Sequence, residues 1–283
     1  MKKLTILIIT LVLFTVTAGS LAAKERNVDS PVFKMTAGVG ISALEYTIEF
    51  EDETQEAANA QASNLNLEGK FLLSESFLIN ARGNLYYADN IELEYEYLFD
   101  AKALIFDTDI ILGPRVRMSA NKISDDRTAT FFIPFAGIGM YNQNYSFVHE
   151  ECDINLISKN SYIAIGVIIE SSKIKNGNLS STFNLRTEAL LLGNIMHDIK
   201  FTDRNTGDIY NNEREGENGL GFKIAIDKMW YIKSLSLGFG VYYSYIHHDE
   251  YEYELTSSYS GTYIMTEKAE NYGLLGASIK IGW

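Results

Sequence analysis

Two short segments of the chain carry residues that could activate a water molecule for hydrolysis. Asp107 and Asp109 are separated by one residue, so both carboxylates would lie on the same face of a β-strand. His197 and Asp198 could supply a general base and the carboxylate that orients it. These two residues are adjacent, however, and adjacent side chains on a strand point to opposite faces. The two segments alone therefore do not predict a catalytic site.

His247 and His248, followed by Asp249, form another group with metal-ligand chemistry. A metal site needs three or four converging ligands, and adjacent histidines diverge on a strand. Acidic segments elsewhere have the carboxylates that hard cations prefer, but they lack the Asp-x-Asp-x-Asp-Gly spacing of a calcium loop. We therefore predict no catalytic residue, no metal site and no cofactor.

The N-terminus has the pattern of a secretory signal peptide. Met1-Lys2-Lys3 is followed by an apolar run over 4–16, which is too short for a transmembrane helix, and then by small residues. Cleavage after Ala22 would leave a mature chain of residues 23–283. The single cysteine, Cys152, excludes an intramolecular disulfide framework.

The composition favours a β-rich protein and excludes a nucleic-acid-binding one. The formal net charge of the 283-residue chain is −13, so the basic surface that nucleic acids require is absent. The chain contains 18 tyrosines, 15 phenylalanines, 21 glycines and only 3 prolines, which suits strands. Tyrosine is also enriched where a protein meets the bilayer interface.

The elements that would position these residues are β-strands, because apolar residues alternate along most of the chain. In the last segment, Leu275, Ile279 and Trp283 fall on one face and Lys280 falls on the other. A change of parity in the first strand predicts a bulge near 43–44. The predicted strands are 33–50, 64–73, 77–87, 106–118, 129–141, 160–171, 178–192, 218–231, 234–248 and 270–283.

This pattern predicts an all-β fold, a transmembrane antiparallel up-and-down β-barrel of ten strands, with eight or twelve as alternatives. In such barrels the termini and short turns share one side, and the long loops lie on the other. A count of ten places the long segments together as extracellular loops: 51–61, 89–105, 142–159, 193–217 and 249–269. The connection 119–128 then becomes a long turn on the opposite side.

If the apolar faces meet lipid, the opposite faces line the barrel interior. The charged residues predicted to point inward are Glu68, Lys70, Arg82, Asp109, Arg115, Arg117, Arg186, Glu188, Lys223, Asp227 and Lys280. A barrel of eight strands has room only for packed side chains, whereas sixteen or more strands enclose a channel. Buried charges must be paired to offset their desolvation. We therefore predict a lumen closed by a mixed-charge network, with Arg186 and Glu188 at its centre.

The segment Phe132-Ile-Pro-Phe-Ala-Gly-Ile-Gly-Met140 and the glycine-rich ending resemble the OmpA/OmpX-like superfamily of bacterial outer-membrane β-barrels. The resemblance implies a monomer in the cell outer membrane, in contact with membrane lipid and lipopolysaccharide. In that family the final strand carries the signal read by the barrel-assembly machinery. The corresponding residues here are Tyr272, Leu275, Ile279, Ile281 and Trp283, where Trp283 replaces the usual terminal phenylalanine.

Size and strand number are also similar to those of the omptins, which are ten-stranded outer-membrane proteases. Omptins use an Asp-x-Asp pair and an Asp-x-His pair across the barrel mouth. Asp107 and Asp109 match the first pair, but no Asp-x-His occurs in the sequence. The sequence therefore favours a structural or surface-interaction role. A narrow porin-like channel for small solutes and an omptin-like protease are the alternatives.

Overall fold

The structure is a computed structural model. It describes residues 32–283 apart from 51–54, 75, 90, 94–99, 124–125, 149–151, 176–177, 194–195, 206, 208, 216–218, 233–234, 249–250 and 258–260. The predicted signal peptide, 1–22, and its cleavage site after Ala22 lie outside the described residues. In the described part of the chain, no helix is long and apolar enough to cross a membrane.

The described residues form fifteen β-strands. Their alternating apolar side chains, abundant aromatic residues and few prolines favour extended backbone. The strands are β1 (Val32–Phe50), β2 (Gln55–Ser74), β3 (Phe77–Ala88), β4 (Ile91–Leu93), β5 (Asp100–Pro114), β6 (Val116–Ile123), β7 (Asp126–Val148), β8 (Cys152–Lys175), β9 (Asn178–Leu192), β10 (Met196–Asp203), β11 (Ile209–Glu215), β12 (Gly219–Ile232), β13 (Leu235–His248), β14 (Tyr251–Ser257) and β15 (Gly261–Gly282).

These strands close into a ring of ten staves, where a stave is one position in the barrel wall. Five staves contain two consecutive strands each, namely β3 with β4, β5 with β6, β9 with β10, β11 with β12, and β13 with β14. The ring includes the pairing of β15 with β1, in which Val39 lies opposite Ile279. The predicted ten-stranded, antiparallel up-and-down barrel is confirmed.

The outer surface of the barrel carries a belt of exposed apolar side chains. On β13 the belt includes every second residue from Leu235 to Tyr243, and on β15 Ile279 is 69% exposed. A run of this kind spans about nine residues, the length with which a tilted strand crosses the hydrocarbon core of a bilayer. Such a surface is stable in contact with lipid rather than with water.

The strands extend into the segments that the sequence analysis predicted as long loops. Within 142–159, β7 continues to Val148 and β8 begins at Cys152. Paired strands also occupy much of 193–217 and 249–269. These hairpins lie beyond the apolar belt, at the side that we call the long-hairpin end. Neither face needs to be apolar there, so alternation no longer distinguishes a strand from a loop.

The opposite side, which we call the short-turn end, contains the start of β1 and the C-terminal Trp283. The long turn predicted at 119–128 is wrong, because β6 continues to Ile123 and β7 begins at Asp126. β6 pairs only with β7 among the described strands. It therefore extends past its other neighbour. Both of its faces are exposed over 116–119, and the apolar alternation is lost.

The bulge predicted near 43–44 is also absent. The pairing of β1 with β2 and with β15 is continuous across this region. Val39 and Ile41 face outward in the belt, whereas Leu44 and Tyr46 are buried in the barrel interior. The apolar residues of β1 therefore change from the outward to the inward face at the height where the barrel interior becomes apolar.

Pro114 and Pro134 lie where the barrel wall is interrupted. β5 ends at Pro114, β6 begins at Val116, and the register places Pro134 opposite this break. Proline lacks the backbone N–H that a ladder hydrogen bond requires. In the break, the backbone N–H of Arg115 donates instead to the carbonyl oxygen of Ser76 at 2.7 Å. This hydrogen bond connects the wall to the turn before β3. It lies where β5, which pairs with both β3 and β7, is followed by β6, which pairs with β7.

Gly139 provides space for the ring of Tyr162 against the inner wall. A Cβ atom at position 139 would lie 2.2 Å from the Tyr162 Cζ atom. We therefore expect Gly139→Ala to lower the free energy of unfolding by about 1–3 kcal/mol, the usual cost of overpacking, in urea titrations of the protein in lipid vesicles. The matched control is Gly83→Ala, because a Cβ there meets the Thr108 methyl group at 3.7 Å. Equal effects of the two substitutions would contradict this packing role.

Candidate functional site

Four charged side chains form a closed ring of ion pairs across the barrel interior. Arg82 contacts Asp109 at 2.5 Å and Glu188 at 2.8 Å. Arg186 contacts the same two carboxylates at 3.1 Å and 2.6 Å. Both carboxylates are buried, and each has two guanidinium groups in place of the water that it loses. We call Arg82, Asp109, Arg186 and Glu188 the ion-pair ring.

The strand register positions this ring. Arg82 on β3 and Asp109 on β5 are direct cross-strand partners, an arrangement that favours opposite charges. Arg186 and Glu188 lie two residues apart on β9 and therefore share its inward face. Because β7 and β8 separate β5 from β9 in the wall, the ion pairs cross the lumen and connect distant staves.

A second cluster lies one layer nearer the long-hairpin end. Lys223 Nζ donates hydrogen bonds to both carboxylate oxygens of Asp107, at 2.7 and 2.9 Å, and to the hydroxyl of Tyr162 at 2.7 Å. The Tyr162 hydroxyl in turn donates to Asp107 Oδ1 at 2.8 Å. The side-chain amide of Asn84 donates to Asp107 Oδ2 at 3.4 Å, so this buried carboxylate is satisfied by one cation and two neutral donors.

Three further acidic residues are satisfied between the ion-pair ring and the short-turn end. These contacts are Glu170 with Arg115 at 2.6 Å and with Lys70, Asp227 with Lys280, and Glu68 with the side-chain amide of Asn80 at 2.5 Å. Lys280 belongs to the final strand, so the C-terminal stave is also connected to the interior network.

The structure places ten of the eleven predicted lumen residues inside the barrel. They are Glu68, Lys70, Arg82, Asp109, Arg115, Arg186, Glu188, Lys223, Asp227 and Lys280. Arg117 is the exception and corrects the prediction. It lies at an exposed position on β6, on the segment that extends past its neighbouring stave.

Two acidic residues of this network were missed by the sequence analysis. Asp107 was considered as part of a hydrolase pair, although it has the same inward parity as Asp109. Glu170 lies on the inward face of β8, two residues from Ile168, and a period-two count along this strand would have found it. With these two acids included and Arg117 removed, the network has six basic and six acidic side chains. Its formal charge is balanced, which limits the cost of removing these groups from water.

Toward the long-hairpin end, tyrosines and aliphatic residues replace charges in the interior. The ring centroids of Tyr141 and Tyr272 are 5.0 Å apart, and those of Tyr46 and Tyr145 are 5.3 Å apart. Such contacts stabilise aromatic pairs beyond the area that they bury. We call the buried set at this level the aromatic plug; it comprises Tyr46, Tyr141, Tyr145, Tyr272, Leu44, Leu274 and Ile246.

The residues of the predicted C-terminal insertion signal do not all share one face. The outward parity of β15 is that of Leu275, Ile279, Ile281 and Trp283. Tyr272 has the opposite parity and is buried in the aromatic plug. Backbone hydrogen bonds in both directions between Trp283 and Met35, at 3.2 and 3.0 Å, pair the C-terminal end of the chain with β1.

Little open space remains beside the ion-pair ring. A void of about 70 Å³ is lined by charged and amide side chains, among them Arg82, Arg186 and Asn184, and by apolar residues that include Ile168 and Ala225. This volume has room for a few water molecules, which the charged and amide groups can bind. The aromatic plug lies on its long-hairpin side.

Of the residues considered for hydrolysis, the two aspartates belong to the charge network. Asp107 and Asp109 are buried and bound to basic side chains, so neither is available to activate water. His197 and Asp198 belong to β10, which pairs with β8 in the hairpins beyond the belt. The described residues therefore do not bring together the two pairs that an omptin-like mechanism uses.

The histidines on β13 diverge, as adjacent strand residues must. His247 Nδ1 lies 2.8 Å from the Asn271 side-chain oxygen, whereas the buried His248 has its Nε2 atom 3.0 Å from the Asn160 side-chain nitrogen. Among the residues that the structure describes, no three histidine, cysteine or acidic side chains are grouped so as to hold a metal ion.

No protein-family model matches the chain, and no curated protein sequence does. Solved structures match in fold. The outer-membrane protease OmpT from Escherichia coli superimposes with a TM-score of 0.53 at 9% sequence identity, covering 91% of this chain and 98% of that chain. The translocator domain of the autotransporter NalP from Neisseria meningitidis has a TM-score of 0.39 at 11% identity, with coverages of 99% and 96%. Neisserial surface protein A has a TM-score of 0.30 at 9% identity, with coverages of 88% and 95%.

The chain therefore has the fold of the bacterial outer-membrane β-barrels. The similarity to OmpT is one of architecture, because at this identity a shared fold does not carry an activity with it.

Removing one charge from the ion-pair ring should destabilise the barrel more than removing one charge of each sign. Glu188→Gln leaves two guanidinium groups around the Asp109 carboxylate. We expect it to lower the free energy of unfolding by about 3–5 kcal/mol in urea titrations of the protein in vesicles. Adding Arg186→Met leaves the neutral pair of Arg82 and Asp109, so the double variant should regain part of that loss.

The ion pair between Arg204 and Asp153 provides the control for this measurement. Its atoms are 2.7 Å apart, but both side chains are substantially exposed. Arg204→Gln should therefore change the free energy of unfolding by less than about 1 kcal/mol. A double variant that is less stable than Glu188→Gln alone would show that charge balance is not what the ring provides.

Proposed function

We propose that this chain is an integral outer-membrane β-barrel with a closed lumen and a structural or surface-interaction role. The observation that carries the proposal is that two successive layers fill the interior, the charge network and the aromatic plug. A channel requires a continuous aqueous path, which small barrels lose when side chains fill them. The void beside the ion-pair ring, of about 70 Å³, has room for only a few water molecules.

The outer surface supports a membrane location. The apolar belt has the height of a bilayer core, and a closed ring of strands leaves no long edge for pairing with another chain. We propose export by the signal peptide, insertion by the barrel-assembly machinery through the final strand, and a monomer in contact with lipid and lipopolysaccharide. The acidic chain would not bind nucleic acid.

The long-hairpin end is the part of the barrel that would meet other molecules. The β10–β11 hairpin, for example, begins with Met196 opposite Glu215, beyond the last residue of β9, Leu192. Backbone hydrogen bonds thus connect these hairpins to the wall. Most of the acidic residues of the sequence fall in these segments, which favours basic partners or divalent cations that bridge to lipopolysaccharide.

We expect the purified, refolded protein to show no steady unit conductance in planar lipid bilayers, because each of the two layers closes the lumen. Replacing Tyr141 and Tyr272 by alanine should leave the ion-pair ring closed. Replacing Arg186 and Glu188 by alanine should leave the plug closed. The four substitutions together should give a higher conductance than either pair alone, because they remove side chains from both layers.

The folding of each variant is checked by its heat-dependent electrophoretic mobility, which a closed barrel shows and an unfolded chain does not. Large, stable conductance of the parent protein would overturn the closed-lumen proposal and favour a narrow channel for small solutes. Conductance after removal of one layer alone would show that the other layer does not seal the barrel.

The single cysteine tests which end of the barrel faces outward. Cys152 begins β8 at the long-hairpin end, so a membrane-impermeant maleimide should label it on intact cells. In the matched variant, Cys152→Ser is combined with Lys175→Cys, which moves the thiol to an exposed position at the short-turn end. That thiol should react only after the outer membrane is permeabilised. The reverse pattern would contradict the orientation.

A further inference from the structure

A lysine on the outer wall of the barrel lies inside the apolar belt. The inward residues of β12 have odd numbers, as Asp227 does, so Lys228 has the outward parity of Ile226 and Trp230. Trp230 and Ile232 lie nearer the short-turn end and are exposed. The apolar surface therefore continues beyond Lys228 in both directions along the strand. A charged side chain that faces lipid at this depth is energetically costly.

The wall around Lys228 is aromatic. The register places Phe183 and Phe239 on either side of it, and the rings of Trp230 and Phe239 are 5.8 Å apart between centroids. Lys228 Nζ reaches the hydroxyl of Ser181, one level nearer the short-turn end, at 3.3 Å. None of the ion pairs formed by the described residues includes Lys228. We therefore expect a negatively charged group from outside the chain to neutralise the positive charge of Lys228.

Lys228 borders a group of polar residues that interrupts the belt. The residues of outward parity on the neighbouring staves form what we call the polar notch, which comprises Ser171, Lys173, Ser181 and Lys228. Lys173 is exposed, whereas Ser181 is 8% exposed and lies beneath the Lys228 side chain. The outward positions on the other side of Lys228 are apolar and include Leu237, Phe239, Ile279 and Ile281. The polar residues are thus confined to adjacent staves and do not mark the edge of the belt around the whole barrel.

We propose that the polar notch binds the phosphate of an anionic phospholipid in the leaflet at the short-turn end. Lys228 and Lys173 supply positive charge, and the Ser181 hydroxyl supplies a hydrogen-bond donor beside them. An acyl chain would lie along the outward surface of Phe183 and Ile226, toward the centre of the belt. This inference rests on the proposed membrane location of the barrel.

Lipid binding to the folded full chain in detergent micelles tests this inference. Native mass spectrometry compares phosphatidylglycerol with phosphatidylcholine of the same chain length. We expect the parent to bind phosphatidylglycerol more tightly. Lys228→Gln should weaken that binding about fivefold, the effect of one lysine near an anionic lipid surface. Lys228→Arg should retain the preference because it keeps the charge, and Ser181→Ala should reduce it.

Lys102→Gln is the matched control, because Lys102 is exposed on β5 near the long-hairpin end. It should leave the lipid preference unchanged. Equal affinity of the parent for the two lipids, an unchanged preference in Lys228→Gln, or an equal loss in Lys102→Gln would each overturn the inference. Heat-dependent mobility shows that each variant is folded. Because binding is measured on the folded barrel in micelles, its failure is distinct from failure of the closed-lumen proposal, which conductance decides.

Discussion

The pairing of inward-facing charges is the interaction on which the rest of the barrel depends. Strand alternation points these charged side chains into the interior of a closed barrel. Each of them loses its water there and needs a partner of opposite sign. Arg82 and Asp109 meet across neighbouring strands, and Arg186 and Glu188 meet them from a distant stave. A slip of one residue in any of these strands would turn its charges toward lipid. The ion-pair ring therefore also selects the register of the wall.

The interior divides into two halves with different chemistry. The half nearer the short-turn end is filled by the charge network, whereas the aromatic plug is packed like the core of a soluble β-protein. The plug lies at the level where the wall continues into the long hairpins. Side chains packed inside the barrel thus support the hairpins that would interact with other molecules.

In architecture this barrel is similar to OmpT, and its own acidic pair belongs to the interior network. The two chains share a barrel of similar size, as the coverage of both indicates. In this chain, Asp107 and Asp109 serve the network, since Lys223 and Arg82 neutralise them and the plug separates them from the long-hairpin end. An acidic pair with the spacing of a catalytic site can therefore be structural. Only its neighbours in space distinguish the two roles.

The ten-stranded barrel and the inward direction of most lumen charges could be predicted from the amino-acid sequence. These follow from period-two alternation, which is a local property of each strand. The partners of those charges depend on the three-dimensional fold, because Glu170 and Lys70 are brought together by strands far apart in the chain. The fold also placed Leu44 and Tyr46 inside, since alternation shows that two faces differ but does not show which one is buried. Beyond the belt neither face has to be apolar, so the paired strands of the hairpins were predicted as loops.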